Sequence, residues 1–269
     1  MKNQKNLKRQ KLRNNEYYQM QDIQDRLYMQ SSKGTKFTHL MEIITSEKNI
    51  LLAYRNIKKN SGSNTKGVDG KNISHLASLE PETLIKLVQN KMKNYFPNKV
   101  RRVEIPKPDG KLRPLGIPTM KDRAMQALYL LALEAISETT ADKSSFGFRK
   151  HRSTKDAISQ CSLHLSPDYQ CKWILEGDIK GCFDHISHKW LINNIPMDKI
   201  MLRKWLKCGF VFNKQFFPTK EGIPQGGIIS PTLANMTLDG LQGLLAKRFK
   251  AINTRKMRSE EHTSELQSL

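Results

Sequence analysis

Asp178 ends the apolar stretch "CKWILEGDI", residues 171–179, and Phe183 follows five positions later. The stretch predicts a β-strand, and carboxylates at the ends of adjacent strands can share divalent cations. A pair of metal ions held in this way can activate an attacking hydroxyl and stabilise a departing pyrophosphate. An aromatic ring beside such a metal can reject a 2′-hydroxyl group. The alternative for Asp178 alone is a solvated strand end.

A second candidate for chemistry is the segment "IPKPDGKLRPLG", which places Lys107, Lys111 and Arg113 around a Pro-Asp-Gly turn. The flanking apolar runs predict a β-hairpin. Its basic side chains could fold over a triphosphate, with Arg113 offering two parallel hydrogen bonds and each lysine a point charge. The alternative is a cationic edge hairpin that resists aggregation.

Two loops offer further binding groups. In "GIPQGGIISP", Gln225 precedes Gly226 and Gly227, which permit close approach of the backbone to a ligand. In "FGFRKHRS", two phenylalanines accompany Arg149 and Arg152, a combination suited to RNA backbone contact and base stacking. The alternatives are an ordinary glycine turn into a helix and a packed phenylalanine pair beneath a solvated basic face.

Charge points to a polyanionic partner. The 269 residues contain 46 Lys and Arg against 25 Asp and Glu, a formal net charge of +21. Such an excess favours nucleic acid as the partner, because binding releases counterions from the phosphates; a highly charged surface that binds nothing is the alternative.

The sequence shows no apolar run that would span a membrane and no secretory signal, so a cytoplasmic protein is expected. The four cysteines lack zinc spacing and are expected to be free and mostly buried.

The order of elements predicts an α+β protein. Helices are expected over residues 16–33, 39–59, 80–95 and 121–138 and from about residue 155. In the fourth helix the pattern predicts a buried stripe of five residues: Met125, Leu128, Tyr129, Ala132 and Ile136. Strands and helices alternate without a regular βαβ rhythm, which argues against a doubly wound sheet.

Five segments in order resemble conserved blocks of group II intron-encoded reverse transcriptases. They are "NSGSNTKGVDG", "IPKPDGKLRPLGIPT", "SSFGFRKHRSTKDAI", "LEGDIKGCFDHI" and "GIPQGGIISPTLANMTLDGL". The resemblance covers residues 37–250 and implies a right-hand polymerase fold. It implies fingers over residues 37–160 and part of the palm over 161–257, after a basic, helical N-terminal extension over 1–36.

The resemblance also implies the roles of individual residues. Asp178 matches the first metal-binding aspartate, with the carbonyl of Ile179 beside it, for a pair of Mg²⁺ ions. Phe183 matches the ring that senses the sugar. Gln225 matches a residue that lines the nucleotide pocket. Five basic residues match positions that contact the nucleotide or the template. Of these, Lys107 and Arg113 would contact the triphosphate, and Lys111, Arg149 and Arg152 would contact RNA.

Two departures from the family pattern stand out. The family usually has Pro-Gly where this chain has Lys150 and His151. From Leu238 onward there is no Tyr-Ala-Asp-Asp turn, which carries the family's other metal carboxylates; Asp239 comes too soon to replace it. Residues 258–269 resemble the translation of a sequencing-library adapter, so we expect a sequence truncated before the second carboxylate pair and a non-native tail.

The expected function is RNA-directed DNA synthesis together with splicing and mobility of a group II intron. Expected partners are an RNA template, intron RNA, a DNA primer or target and deoxynucleoside triphosphates, with no membrane. The chain by itself is expected to be inactive. The alternatives are a non-catalytic, maturase-like module that binds RNA and a retron-type or defence-associated reverse transcriptase.

Overall fold

The computed structural model describes residues 19–35, 37, 39–77, 79–166 and 174–249. The basic arm at the N-terminus and the segment 258–269 lie outside these ranges. In the first half the helices are α1 (Gln21–Ser32), α2 (Leu40–Thr45), α3 (Glu47–Lys59), α4 (Ser74–Ala77), α5 (Pro81–Lys93) and α6 (Met120–Thr140). In the second half they are α7 (Thr154–His164), α8 (Cys182–His185), α9 (His188–Asn194), α10 (Lys199–Leu206), α11 (Ser230–Leu238) and α12 (Leu241–Arg248).

Helix α6 is the centre of the core. Thr119 caps its first turn by accepting a hydrogen bond from the backbone N–H of Asp122. The predicted stripe of five apolar residues on this helix is buried, as expected from its spacing. Helices α1, α2, α3 and α11 pack around α6, so the long helix joins the N-terminal helices to the later part of the chain.

Four strands form one mixed sheet in the order β2-β1-β3-β4. The predicted hairpin is confirmed: β1 (Val100–Pro106) pairs antiparallel with β2 (Leu112–Ile117). Strand β3 (Phe210–Phe212) runs parallel to β1, and β4 (Gln215–Phe217) closes the sheet as an antiparallel edge strand. This combination of helices and one mixed sheet confirms the α+β class.

Two expected elements differ in the structure. The single helix expected over 39–59 is divided at Ser46, whose extended backbone (ψ 147°) ends α2 and whose hydroxyl caps α3. The strand expected over 171–179 does not form over residues 174–179, and residues 171–173 lie outside the described ranges. A strand is stable only when it pairs, and the described sheet has its edges at β2 and β4.

The described cysteines are free but not mostly buried, so that part of the sequence interpretation was wrong. Cys161 is exposed, and Cys182 and Cys208 are half-buried. Burial raises the pKa of the Cys208 thiol to about 12, which keeps this thiol protonated and unreactive near neutrality. Within the described ranges, no helix has the length and apolar character needed to cross a membrane.

Candidate nucleotide and nucleic-acid site

The tip of the β1–β2 hairpin presents two lysines to water. The backbone N–H of Lys107 donates to the carbonyl of Lys111 at 2.7 Å, and Gly110 makes the turn with a positive φ of 77°. The Lys111 ammonium lies 3.6 Å from the carboxylate of Asp109, with both side chains largely exposed. An ion pair in this setting is weak and easily exchanged for a phosphate.

Arg113 and Gln225 meet next to the tip of the same hairpin, although 112 residues separate them in the chain. The Arg113 Nε donates to Gln225 Oε1 at 3.0 Å. In the backbone, the N–H of Gly116 donates to the Gln225 carbonyl at 2.7 Å. Two residues that the sequence assigned to one nucleotide pocket are therefore adjacent.

Two glycines allow the loop that follows Gln225 to lie directly on strand β2. A Cβ atom at Gly226, where φ is 116°, would come within 2.5 Å of the Gly116 carbonyl oxygen. A Cβ at Gly227 would come within 2.5 Å of Ser230 Oγ. The buried amide of Gln126 accepts the next backbone N–H, that of Ile228, at 2.9 Å. Sequence reasoning missed Gln126, because its helical position carries no motif.

Arg123 fastens the loop at residues 60–70 to the start of α6. Its side chain, 7% exposed, donates to the carbonyls of Pro118 (2.9 Å), Gly62 (2.8 Å) and Thr65 (2.7 Å). Desolvation lowers the pKa of the guanidinium, although arginine stays charged at any physiological pH. A cleft of about 490 Å³ separates this loop from β2 and the 226–228 segment. Nothing in the sequence indicated this structural role for Arg123, because no local motif marks it.

The loop that carries Arg149 and Arg152 uses one arginine for structure. Arg149, with its side chain 7% exposed, makes two hydrogen bonds to the carboxylate of Glu138 and donates to the carbonyls of Asp142 (2.9 Å) and Ser145 (2.6 Å). Its guanidinium is thus satisfied within the protein. Arg152 is more open, with its side chain 37% exposed and its guanidinium 5.9 Å from the centre of the Phe146 ring. Of the two, Arg152 is the better placed to meet RNA.

The two residues that depart from the family pattern each have a structural consequence. Lys150 forms an ion pair with Glu134 of helix α6. Burial is the main influence on Glu134 and raises its carboxyl pKa, while the nearby Lys150 acts in the opposite direction. His151 has a φ of 61°, in the left-handed region that favours glycine.

Asp178 and Ile179 lie in an exposed segment without regular structure. In the described ranges there is no group of three or more His, Cys, Asp or Glu side chains that could hold a metal ion. The described residues therefore do not fit a complete Mg²⁺ site. Phe183 is different: it packs against the core, and its carbonyl accepts from the Ile223 N–H at 2.8 Å. That bond ties α8 to the segment leading into Gln225.

Comparison with known proteins places the chain in a family. Residues 105–262 match the model described as reverse transcriptase (RNA-dependent DNA polymerase). Over 215 residues the chain is 38% identical to the group II intron-encoded protein LtrA of Lactococcus lactis, covering 76% of this chain and 35% of that protein. It is 36% identical to protein YkfC of Escherichia coli over 83% of this chain and 61% of the relative. It is 34% identical to the putative COX1/OXI3 intron 2 protein of Saccharomyces cerevisiae, covering 79% and 25%.

The chain belongs to the reverse transcriptase family, among the group II intron-encoded reverse transcriptases and maturases. This agrees with the resemblance drawn from the five sequence blocks. The chain spans 61% of the length of the bacterial protein YkfC and 35% of that of LtrA.

Proposed function

We propose that this chain supplies the fingers and part of the palm of an RNA-directed DNA polymerase encoded by a group II intron. The observation that carries the proposal is the hydrogen bond between Arg113 and Gln225, at 3.0 Å, beside the cationic hairpin tip. In this arrangement Lys107 and Arg113 meet the triphosphate of an incoming deoxynucleotide, and Gln225 lines its pocket. The β1–β2 hairpin and the glycine loop support one another in presenting these groups.

The RNA template lies against two open basic groups, Lys111 at the hairpin tip and Arg152 in the loop after α6. The cleft of about 490 Å³ beneath the 60–70 loop is the path that we propose for the template strand. Phe183, held beside the nucleotide segment by its backbone bond to Ile223, senses the sugar. The remaining proposed substrates are the intron RNA, which the full protein helps to splice, and a DNA primer or target.

Asp178, with the carbonyl of Ile179, is the proposed first half of the family's Mg²⁺ site. The described residues do not complete that site, and the sequence after Leu238 contains no Asp-Asp pair. We therefore expect the 269-residue chain to bind primer and template without extending the primer.

Primer extension tests this part of the proposal directly. The purified chain is incubated with an RNA template, a labelled DNA primer, all four deoxynucleotides and Mg²⁺, beside the variant Asp178→Ala. No extended product is expected from either protein. Extension by the unmodified chain that disappears in Asp178→Ala would show that a complete metal site does form.

A non-catalytic RNA-binding module is the second candidate, and the exposed position of Asp178 favours it. Such a module would bind RNA with the same affinity in Mg²⁺ and in EDTA at matched ionic strength, and its binding would not change in Asp178→Ala. The relatives with intron names favour an intron-encoded protein over a retron-type or defence-associated enzyme.

A further inference from the structure

Two exposed aromatic rings lie beside lysines, away from the residues assigned so far. We define this aromatic–lysine strip by Phe96, Lys99, Lys121, Lys204 and Phe216. Phe96 is 68% exposed and Phe216 50% exposed. The Lys204 ammonium lies 5.8 Å from the centre of the Phe96 ring, and that of Lys99 lies 4.9 Å from the centre of the Phe216 ring.

Buried hydrogen bonds hold the Phe96 end of the strip in place. The hydroxyl of the neighbouring Tyr95 donates to the buried carboxylate of Asp122 at 2.6 Å and accepts from Trp205 Nε1 at 3.1 Å. The Lys204 ammonium donates a hydrogen bond to the Tyr95 carbonyl at 2.8 Å, and the Lys121 ammonium donates one to the Phe96 carbonyl at 2.9 Å. The Phe96 ring therefore projects from a fixed backbone, so its ordering costs little entropy when a ligand binds.

The Phe216 end of the strip is seated on a glycine. A Cβ atom at Gly209 would lie 2.4 Å from Cε2 of Phe216, so only glycine leaves room for the ring. Phe216 belongs to the edge strand β4, and Lys99 immediately precedes β1. The hydrogen bond from the Val100 N–H to the Gly209 carbonyl, 3.0 Å, joins these two segments.

The Phe216 end of the strip lies on the sheet edge opposite to the proposed nucleotide site. Arg113 lies on β2 and Phe216 on β4, the first and last strands of the order β2-β1-β3-β4. Three strand spacings of about 4.8 Å separate the two edges by roughly 14 Å. One short segment of nucleic acid at the nucleotide site does not need the strip, which leaves the strip free for a second segment.

We infer that the aromatic–lysine strip binds a single-stranded polynucleotide. Stacking on exposed rings combined with lysine contacts to phosphates is how proteins hold single strands without reading their sequence. The lysines of the strip and the net charge of +21 both favour a polyanion over an apolar protein segment. This inference goes beyond the proposed function, since the strip contains none of the residues assigned to nucleotide or template.

The test measures binding of fluorescein-labelled oligouridylate and oligodeoxythymidylate, each of twelve nucleotides, by fluorescence anisotropy across a salt series. We expect the double variant Phe96→Ala/Phe216→Ala to raise Kd by about 5- to 150-fold for each ring removed, without altering the salt dependence. We expect Lys99→Gln to reduce the slope of log Kd against log salt by about 0.7, the value for one phosphate contact on a single strand. The controls are Phe249→Ala, which removes one exposed ring elsewhere, and Lys91→Gln, which removes one exposed lysine elsewhere.

The outcomes separate this inference from the proposed function. If the double ring variant, shown by circular dichroism to be folded, binds both oligonucleotides as the wild type does, the strip inference is wrong. Loss of primer–template binding in Lys111→Ala/Arg152→Ala, with the strip variants unaffected, would uphold the proposed function and reject the strip. If the ring variants instead abolish self-association in sedimentation velocity while leaving Kd unchanged, the strip is a protein interface and the inference also fails. A common Kd for the two oligonucleotides supports a general single-strand site, and tighter binding of oligouridylate supports RNA.

Discussion

At position 151 a histidine occupies a backbone conformation suited to glycine. Its φ of 61° places Cβ close to the neighbouring carbonyl, a strain that glycine avoids. We predict that His151→Gly raises the free energy of unfolding by about 0.5–1 kcal/mol, despite the greater freedom of glycine in the unfolded chain. Urea denaturation measures the change. His185→Gly, within helix α8, is the matched control and should destabilise the chain; equal destabilisation by both variants would contradict the strain.

Asp122 gives the stability of the chain a dependence on pH. Three groups donate hydrogen bonds to its carboxylate, namely the hydroxyls of Tyr95 and Thr119, both at 2.6 Å, and the backbone of Asn98 at 3.2 Å. Burial nevertheless outweighs these bonds and raises the pKa of Asp122. The folded state therefore holds the Asp122 proton more tightly than the unfolded state does.

The sign of the effect follows from this raised pKa. The Asp122 contribution is fully present below the unfolded pKa, about 3.9, and is lost as the pH rises through the higher folded pKa. We predict that Asp122→Asn, which cannot ionise, loses less stability than the wild type as the pH rises from the unfolded pKa through the folded pKa. Urea denaturation at a series of pH values measures the difference between the two proteins. Parallel pH profiles, or a steeper loss in the variant, would contradict the assignment.

Individual residues were predicted from the sequence only where a motif surrounded them. Lys107, Arg113 and Gln225 lie in recognisable turns, and the structure places Arg113 and Gln225 in contact. Arg149 illustrates the limit, because a basic residue directly after two phenylalanines suggests an RNA contact. Its bonds to Glu138 depend on a helix position that the local pattern does not reveal.

At the scale of elements, the glycine loop and strand β2 depend on each other. Gly226→Ala would force a Cβ atom against the Gly116 carbonyl at a backbone φ of 116°. We predict that this variant lowers the free energy of unfolding by about 1–3 kcal/mol and moves Gln225 away from Arg113. The control is Gly147→Ala, because a Cβ there meets no atom within 4 Å. Thermal and urea denaturation of the two variants measure the effect, and similar values for both would contradict the close packing.

Elements that are stabilised by local interactions were predicted from the sequence, and elements that depend on distant pairing were not. Helix α6 and the β1–β2 hairpin are set by local periodicity and turn residues, so both were predicted. The β3–β4 hairpin was missed, although its Asn213–Lys214 turn, with φ values of 49° and 66°, is a two-residue connection between aromatic runs. The strand expected over 171–179 carries a strong local pattern, but strand formation needs a pairing partner that no local pattern supplies.

At the scale of the whole molecule, charge and family membership agree. A net charge of +21 suits a protein that holds nucleic acid, and the reverse transcriptase match covers residues 105–262. Part of this charge is already used inside the fold, as Arg123 and Arg149 show. The residues left for nucleic acid are the exposed ones, which the proposal concentrates at the β1–β2 hairpin, in the loop of Arg152 and along the aromatic–lysine strip.

Equilibrium binding of an RNA-template/DNA-primer duplex with a single-stranded template overhang is the most direct test of the central claim. Fluorescence anisotropy is measured for the wild type, for Lys111→Ala/Arg152→Ala and for Lys86→Ala/Lys91→Ala, which removes the same charge from exposed positions of α5. We predict that the Lys111→Ala/Arg152→Ala variant binds at least about tenfold more weakly than the wild type and has a salt slope smaller by about 1–2, while the α5 variant stays near the wild type. Equal affinity and equal salt slope in the two double variants would contradict the claim that Lys111 and Arg152 hold the template.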